Sequence, residues 1–294
     1  MERMKAVLVT GATGHVGYQL AKRLGDDGWH IRALVRSPGQ FDLVKGEGWE
    51  PVLGDLAQPA SLQVALTDAE YVLHCAAVGG ADTARCQTVN VDATRVLATL
   101  ALRAKTRRFV HISTISVHGG ELPKYVDEES SLATEDPVPY CSSKALGELA
   151  LGKVRDEGLE TVILRPGMIC NVVRSQWGNE MVERIRARGW PEDVHPDDVM
   201  PWVHTQNLAE MVRLALTHPA AANETFLAID RNVAFNEFFV PIARALGQPV
   251  IVPDRPPQIS ECRVGKIGSK LGYRPVRTFE ETMDGLVALA KSPH

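Results

Sequence analysis

The sequence has little of what marks several large protein classes. Its five cysteines are an odd number without a Cys-x-x-Cys pair, so we expect reduced thiols rather than a disulfide framework or a zinc ribbon. No apolar run approaches the roughly 18 residues of a membrane span, and the stretch that begins at Lys5 is too short for a signal peptide. These absences predict a cytoplasmic protein with no membrane partner.

Charge of either sign is not in excess. The chain has 32 Lys and Arg against 36 Asp and Glu, a formal net charge of −4, so no global positive field attracts phosphate backbones and we expect no nucleic-acid partner. No two of the nine histidines stand four residues apart around a glutamate. The sequence therefore predicts no catalytic metal.

The pattern that is present is that of a large α/β protein. With 294 residues and 45% hydrophobic residues, the chain can bury a sizeable core. Short β-branched runs alternate with longer helical patterns up to residue 165, which predicts βαβ units around a parallel sheet. Strands are predicted at 5–10, 30–36, 51–54, 71–74, 108–113 and 161–165, and helices near 15–26, 60–68, 84–104 and 141–157.

After residue 165 the rhythm breaks, and Trp177, Trp190 and Trp202 appear among several prolines. We interpret 166–201 and 231–294 as a substrate cap, and 202–230 as a segment that returns to the domain formed by 1–165. A helix is predicted at 207–216, a strand at 225–229 and a last helix near 279–290. The predicted fold is a doubly wound parallel sheet of the Rossmann type with a small C-terminal cap.

A glycine-rich turn follows the first predicted strand. Glycine lets the backbone turn sharply and approach a pyrophosphate, while the next helix offers unpaired N–H groups and a partial positive charge. A glycine-rich turn without a ligand is the alternative. The residues predicted to hold a dinucleotide here are Gly11, Thr13, Gly14, His15, Val16 and Gly17.

The end of the second strand indicates which dinucleotide is preferred. An acidic residue there would bind the adenosine ribose, but this chain has Val35 followed by Arg36. Arg36 can form two hydrogen bonds to a 2′-phosphate, with Arg32 on the same strand face, so we predict NADP as the cofactor, with NAD possible. A solvated surface arginine is the alternative. Asp55 and Leu56 are expected near the adenine, unless Asp55 caps a helix.

Two polar patterns indicate acid-base chemistry. Tyr140 and Lys144 are four residues apart at the start of a predicted helix and so share one face. An ammonium beside a phenol favours the phenolate, and moving the pKa of Tyr140 to about 7 requires roughly 4 kcal/mol. The strand at 108–113 ends in Ser113, Thr114 and Ser116, hydroxyls that can stabilise charge on a substrate oxygen at the carboxyl edge of the sheet.

Taken together, these motifs resemble the extended short-chain dehydrogenases/reductases, in the branch of NAD(P)-dependent epimerases and dehydratases. The resemblance covers nearly the whole chain, and the joint order of the motifs is far more specific than any one of them. The motifs that carry the resemblance are the glycine turn, His74-Cys75-Ala76-Ala77, Val89-Asn90-Val91, Tyr140 to Lys144, Arg165-Pro166-Gly167 and Val203 to Ala209.

The resemblance implies a catalytic triad of Thr114, Tyr140 and Lys144, with Ser113 and Ser116 as alternatives to Thr114. It also implies cofactor contacts at His74, Ala76, Ala77, Tyr140, Lys144 and Pro166. A histidine, His118, replaces the family's usual tyrosine. It is either a substrate contact or a packed residue at the end of a strand.

Two departures from the family bear on the substrate. Met168 stands where nucleotide-sugar enzymes usually carry asparagine, and Asn207 stands where the family has a late aspartate. With Trp177 and the other cap tryptophans, these changes favour a mainly apolar ketone, aldehyde or secondary alcohol that contacts Thr114, His118, Met168 and Trp177. Tryptophans that only pack the cap are the alternative, and the cap arginines Arg174, Arg184, Arg186 and Arg188 are possible partners for a sugar diphosphate.

The sequence therefore predicts an NADP-dependent oxidoreductase that acts on a small molecule. The alternatives are a nucleotide-sugar epimerase or dehydratase with tightly held NAD, and a dinucleotide-sensing regulator without turnover. Apolar positions on the helices near 84–104 and 141–157, together with the resemblance, predict a homodimer.

Overall fold

Seven parallel strands form the central sheet of the computed structural model, which describes residues 5–292. The order across the sheet is β10, β7, β5, β4, β1, β2, β3, so the predicted doubly wound parallel fold is confirmed. The strands are β1 Ala6–Thr10, β2 His30–Val35, β3 Glu50–Leu53, β4 Tyr71–His74, β5 Arg108–Ile112, β6 Tyr125–Val126, β7 Thr161–Pro166, β8 Met168–Cys170, β9 Val199–His204, β10 Thr225–Ala228, β11 Arg231–Ala234 and β12 Glu261–Cys262.

Helices cover both faces of the large sheet. On one face α1 packs against α8, and on the other α3 packs on α5, which lies beside α6. The helices are α1 His15–Asp26, α2 Phe41–Gly46, α3 Pro59–Ala65, α4 Thr83–Cys86, α5 Ala93–Arg103, α6 Pro139–Asp156, α7 Asn179–Arg188, α8 Thr205–Thr217, α9 Phe235–Ala245, α10 Lys266–Leu271 and α11 Phe279–Lys291. None of the helices in this described part is long and apolar enough to cross a membrane.

The sheet is buried on both sides because its strands alternate between two apolar layers. In β5, Val110 and Ile112 belong to the layer under α1 and α8, whereas Phe109 belongs to the layer under α5 and α6. Such strands read as continuous apolar runs, as expected for a parallel sheet. His111 interrupts the run in β5 and is itself buried.

Part of the chain beyond β7 forms a separate layer over the carboxyl ends of the strands. There β9 pairs in parallel with β8 and antiparallel with β11, and a second core lies between this small sheet and helices α7, α9 and α11. The predicted return to the large sheet at residue 202 is wrong by a few residues, because 202–204 belong to β9. The returning elements are α8 and β10.

The single helix predicted over 84–104 is three joined segments. A π-helical segment, Gln87–Asp92, lies between α4 and α5. Within it Asn90 accepts a hydrogen bond from the N–H of Val78 and donates to the Val78 carbonyl and to Ser143 Oγ, each at 2.9 Å. The wide turn thus fixes the chain after β4 to the start of α6.

Candidate functional site

A cavity of about 590 Å³ lies at the carboxyl edge of the large sheet, between the sheet and the cap. β1 lies beside β4 in the sheet, but the chain continues from β1 to β2 on one side and from β4 to β5 on the other. The loops after β1 and β4 therefore diverge. Open α/β sheets bind ligands at this kind of switch point. The predicted residues that line the cavity are His15, Val16, Ala77, Thr114, Tyr140, Lys144, Pro166, Met168 and Trp177.

The glycine turn after β1 is as closely packed as a pyrophosphate loop requires. Gly11 has φ of +71°, and a Cβ there would lie 2.9 Å from the backbone nitrogen of Ala76. A Cβ on Gly17 would lie 2.3 Å from the Gly11 carbonyl oxygen. The first turn of α1 has no side-chain cap at Gly14, so its N–H groups can meet an anion.

The end of β2 presents one of its two arginines to solvent. The Arg36 side chain is exposed. The backbone N–H of Arg36 donates to Gln40 Oε1, and Gln40 Nε2 donates to Thr13 Oγ1 at 3.3 Å. Arg32 is buried and bonded to Glu50 and to the carbonyls of Ala65 and Thr67. Arg32 is therefore not available to assist Arg36.

The loop after β3 also has local bonds of its own. Asp55 Oδ1 accepts the N–H of Ala57 at 2.9 Å. This bond closes a turn and does not cap a helix, since α3 begins at Pro59 without a side-chain cap. Leu56 is half-buried against the layer under α5. A contact of either residue with adenine stays a prediction.

Thr114 and Tyr140, far apart in sequence, meet in the cavity. Thr114 follows β5 and Tyr140 stands in the first turn of α6, and their side chains share a hydrogen bond. Thr114 Oγ1 also accepts the N–H of Ser116 at 3.2 Å. Burial raises the pKa of Tyr140 above 10, and the bond with Thr114 offsets only part of this rise, so the phenol is protonated at neutral pH.

Lys144 lies one turn after Tyr140 and is almost wholly buried. Its Nζ donates to the Ile112 carbonyl at 2.9 Å and contacts His111 Nε2 at 3.1 Å. Burial lowers the pKa of Lys144 to about 8. In this structure the ammonium binds to β5, so the expectation that Lys144 and a bound nicotinamide together lower the pKa of Tyr140 stays a prediction.

A buried ion pair supports the floor of the site. Arg165 Nε donates to both carboxylate oxygens of Glu148 and Nη2 donates to Oε2, while Oε1 also accepts the Ser113 hydroxyl. Ser113 and Ser116 both line the cavity. The Ser113 hydroxyl donates to Glu148, which weakens it as an alternative to Thr114, whereas Ser116 is partly exposed.

Two predicted ligand contacts point away from the cavity. The buried ring of His118 bonds to the Ser131 carbonyl at 2.9 Å and to Arg165 at 3.3 Å, so it is a packed residue and we withdraw it as a substrate contact. The ring of His74 is wholly buried between Thr10 and Thr94. His74 therefore supports the cofactor groove from below rather than lining it.

The cap contributes an apolar wall. Met168, Trp177 and Met200 line the cavity, beside the polar cap residues Arg174, Ser175 and Gln176. Trp190, Trp202 and Met181 are instead buried in the core of the cap, so the expectation that all the tryptophans surround a substrate is wrong for two of the three. Met200, which sequence reasoning missed, carries no motif and was not identifiable from its neighbours.

Asn207, the second departure from the family pattern, also lies outside the cavity. It donates to Asp230 Oδ2 and to the Arg277 carbonyl, both at 2.7 Å, and accepts the N–H groups of Val276 and Arg277. An aspartate at 207 would place a second carboxylate beside Asp230, whereas the Asn207 amide donates a hydrogen bond to it. The change fastens the C-terminal segment rather than reshaping the pocket.

Four cap residues rest on α1. Gln19 donates to the carbonyls of Val173 and Arg174 and accepts from Asn171. The Arg174 guanidinium stacks on Tyr18 at 3.9 Å, and His15 lies 3.3 Å from Glu180. Sequence reasoning also missed the contacts of Glu148 with Ser113 and of His111 with Lys144, which carry no motif and depend on how α6 packs on β5.

Comparison with known proteins agrees with this geometry. The family model of the NAD dependent epimerase/dehydratase family matches residues 7–228. A ketoreductase of Stigmatella aurantiaca, which acts on 4-hydroxy-2-methyl-3-oxo-4-farnesyl-3,4-dihydroquinoline-1-oxide, is 26% identical over 81% of this chain and 72% of its own length. A UDP-glucose 4-epimerase of Vibrio cholerae is 29% identical over 83% of this chain and 77% of its own.

Among solved structures, a short-chain dehydrogenase/reductase superfamily protein of Agrobacterium tumefaciens with bound NAD superposes with a TM-score of 0.80. It is 25% identical, and the match covers 97% of this chain and 96% of the other. The similarity therefore extends over the large sheet and the cap alike.

Proposed function

Because the chain belongs to the NAD-dependent epimerase/dehydratase family of extended short-chain dehydrogenases/reductases, we propose that this enzyme reduces a mainly apolar ketone or aldehyde to the alcohol. The observation that carries the proposal is the hydrogen-bonded pair of Thr114 and Tyr140 opposite a wall of Met168, Trp177 and Met200. A proton donor and an apolar wall on opposite sides of one cavity suit a carbonyl compound.

The residues have separate roles in this proposal. The nicotinamide, when bound, supplies the hydride that the carbonyl carbon accepts. As the C=O double bond becomes single, the oxygen takes the proton of Tyr140 Oη. Thr114 orients that oxygen, and Lys144 holds the nicotinamide ribose and supports the phenolate left behind. The raised pKa of Tyr140 keeps the proton on the phenol, which is the form needed for reduction.

A dinucleotide fits the residues at this end of the cavity. The glycine turn leaves room for it, since a Cβ at Gly11 or Gly17 would fill the turn. The uncapped start of α1 and the lining residues Ala77 and Pro166 adjoin the same space. NADP is our proposal for the finer choice. Arg36 is exposed at the end of β2 where it can meet a 2′-phosphate. The superposed relative holds NAD, so the preference rests on Arg36 alone.

Two features support an apolar substrate over a sugar nucleotide. The cap face of the cavity presents Met168, Trp177 and Met200, beside Arg174, Ser175 and Gln176. Of the cap arginines, Arg174 lies over Tyr18 while Arg186 bonds to Glu183. The similarity to a ketoreductase acting on a farnesyl quinoline oxide points the same way. The similarity to UDP-glucose 4-epimerase keeps an epimerase with bound NAD as the second candidate.

We also propose a cytoplasmic homodimer. Helices α5 and α6 lie side by side on one face of the sheet. Leu149 is 48% exposed, and Val96 and Leu146 are partly exposed on the same pair of helices, which gives an apolar surface for a second copy. Light scattering at micromolar concentration tests it, and a mass near the 32.1 kDa of one chain would exclude the dimer.

A panel of apolar ketones and aldehydes, assayed with NADPH and NADH, tests the function. We expect turnover with some member of the panel and a loss of about 10²–10⁴-fold in Tyr140→Phe, the range typical of a general acid. The matched control is Tyr125→Phe, since Tyr125 is exposed on β6. Near-normal turnover in Tyr140→Phe would contradict the assignment.

Calorimetry separates the two candidate functions. The NADPH-loaded enzyme is titrated with UDP, GDP and dTDP, and we expect no micromolar binding. Micromolar affinity for one of them, or NAD retained through purification, would favour the epimerase instead.

A further inference from the structure

His111 makes a contact with Lys144 that general features of the fold do not explain. It lies on β5, two residues before Ser113, in a strand whose other members are apolar or paired, and it is 1% exposed. Its Nε2 is 3.1 Å from Lys144 Nζ. No carboxylate in residues 5–292 lies within ion-pair distance of that ammonium, so a neutral ring takes the place where a carboxylate would be expected.

The proton positions follow from the partners. A lysine ammonium has three N–H donors and no acceptor, so His111 Nε2 accepts and the ring proton is on Nδ1. That Nδ1 is buried and has no hydrogen-bond partner in the described part of the chain. An unpaired buried N–H destabilises a fold. Stability alone therefore does not account for His111.

The neighbouring histidine provides the contrast. The rings of His74 and His111 stack with centroids 5.2 Å apart, on paired positions of β4 and β5. His74 has a partner at each nitrogen, Thr10 at 2.7 Å and Thr94 at 3.0 Å. Of two stacked rings in one layer, the one with an unpaired nitrogen is the one that contacts Lys144.

We propose that His111 is the positioning residue of Lys144. With the Ile112 carbonyl it takes two of the three ammonium N–H groups, leaving the third for the cavity, and it stabilises the charged form of the lysine. The inference rests on the proposed function, in which Lys144 holds the ribose and supports Tyr140.

The surroundings of the ammonium determine the direction of the effect. Burial favours the neutral amine, whereas Glu148 and Cys75 favour the ammonium. A neutral imidazole that accepts a hydrogen bond from Lys144 also favours the ammonium. Removing the acceptor therefore lowers the pKa of Lys144 further. The titratable groups that face Lys144 from the adjoining elements are His74, Cys75, His111, Tyr140 and Glu148.

The test is a direct titration of Lys144 in the full-length protein labelled with ¹³C at the lysine ε-carbons. Lys144→Met assigns the signal. In His111→Leu we expect the pKa of Lys144 to fall by about one unit and the melting temperature to be unchanged or higher. In His111→Gln, whose Oε1 can accept the same bond, we expect the pKa to return to within a few tenths of a unit of wild type.

NADPH affinity gives a second measurement. Wild type and His111→Gln should bind NADPH alike at pH 7.5, whereas His111→Leu should bind several-fold more weakly, with the difference widening as pH rises. Should His111→Leu fail to fold, His111→Asn, whose amide is too short to reach Nζ, replaces it with the same expectation.

The lysine titration needs neither a substrate nor turnover, so absence of ketone reduction would remove the proposed function and leave this measurement intact. A pKa of Lys144 in His111→Leu within about 0.3 unit of wild type would overturn the proposal, since that is well below the shift expected from losing an acceptor. Loss of NADPH binding in His111→Gln equal to that in His111→Leu would also overturn it.

Discussion

The cavity has two walls that are built differently. The sheet wall is supported from beneath, at Ser113, by the Arg165 and Glu148 pair, whose side chains are bonded to each other and 6% and 2% exposed. On the cap side Met168, Trp177 and Met200 present apolar surface. Directional bonds fix positions, whereas apolar contact adapts to shape. We therefore expect the sheet wall to keep the reacting groups in place and the cap wall to select the substrate.

The largest effect is expected from breaking the sheet wall. Arg165→Met leaves the Glu148 carboxylate buried without its partner, which should reduce the free energy of unfolding by about 3–5 kcal/mol. Urea denaturation measures it. The matched control is Arg155→Met, because the ion pair of Arg155 with Asp156 is at the surface and such pairs contribute about 0–1 kcal/mol. Equal losses in the two variants would mean that burial of the pair is unimportant.

Acid should also act on the sheet wall. Burial lowers the pKa of His74 to about 3, while an unfolded histidine titrates near 6.5. Below about pH 6.5 the unfolded chain binds a proton that the native state excludes, so stability falls as pH decreases toward 3, by about 1.4 kcal/mol per pH unit. His74→Gln should remove this share of the slope and leave the share of His111, His118 and His204, whose pKa values burial also lowers. Urea midpoints at several pH values test it, and parallel curves for variant and wild type would contradict it.

A substitution in the cofactor groove is expected to weaken NADPH binding by one to two orders of magnitude. Arg36→Ala removes a charge-assisted hydrogen bond, worth about 1.5–3 kcal/mol, from the proposed 2′-phosphate contact. NADPH should bind about 10- to 100-fold more weakly, and NADH affinity, the internal control, should not change. Fluorescence titration of both cofactors measures this. If both affinities fell together, Arg36 would be a general contact and not a selective one.

The smallest effect belongs to the cap wall. Trp177→Ala should raise KM for a bulky ketone by about tenfold, roughly 1.4 kcal/mol of lost contact, with kcat and the unfolding free energy little altered. Trp190→Ala is the matched control: Trp190 lies in the cap core, so it should lose about 3–5 kcal/mol of stability. If Trp177→Ala instead destabilised the fold to the same extent, the tryptophan would be a packing residue.

What could be predicted from the sequence depends on how local the signal is. The glycine turn and the spacing of Tyr140 and Lys144 are short patterns with a fixed mechanical meaning, and the doubly wound fold follows from strand and helix periodicity. The partners of Lys144 were not predictable. Its bonds go to His111 and Ile112, and the choice between these and Tyr140 depends on the depth of α6 over the sheet.

The cap shows the same limit more strongly. Its strands β8 and β11 are three and four residues long, too short for a period to be read. Local composition does separate Trp177, which follows Ser175 and Gln176, from Trp202, which stands between Pro201 and Val203. The first lines the cavity and the second is buried against Phe279, a contact with a distant segment that neither neighbourhood predicts.

The order of the strands has a consequence for synthesis. β7 ends at Pro166, but its outer neighbour β10 begins at Thr225, so the ribosome makes the first segment of the cap and α8 before the sheet can be completed. Until then one edge of β7 has unpaired N–H and C=O groups, which can pair with another chain. Nascent chains that end before Thr225 should therefore be the aggregation-prone ones. At the opposite edge, β3 pairs with β2, which is made just before it, so no strand there waits for a distant partner.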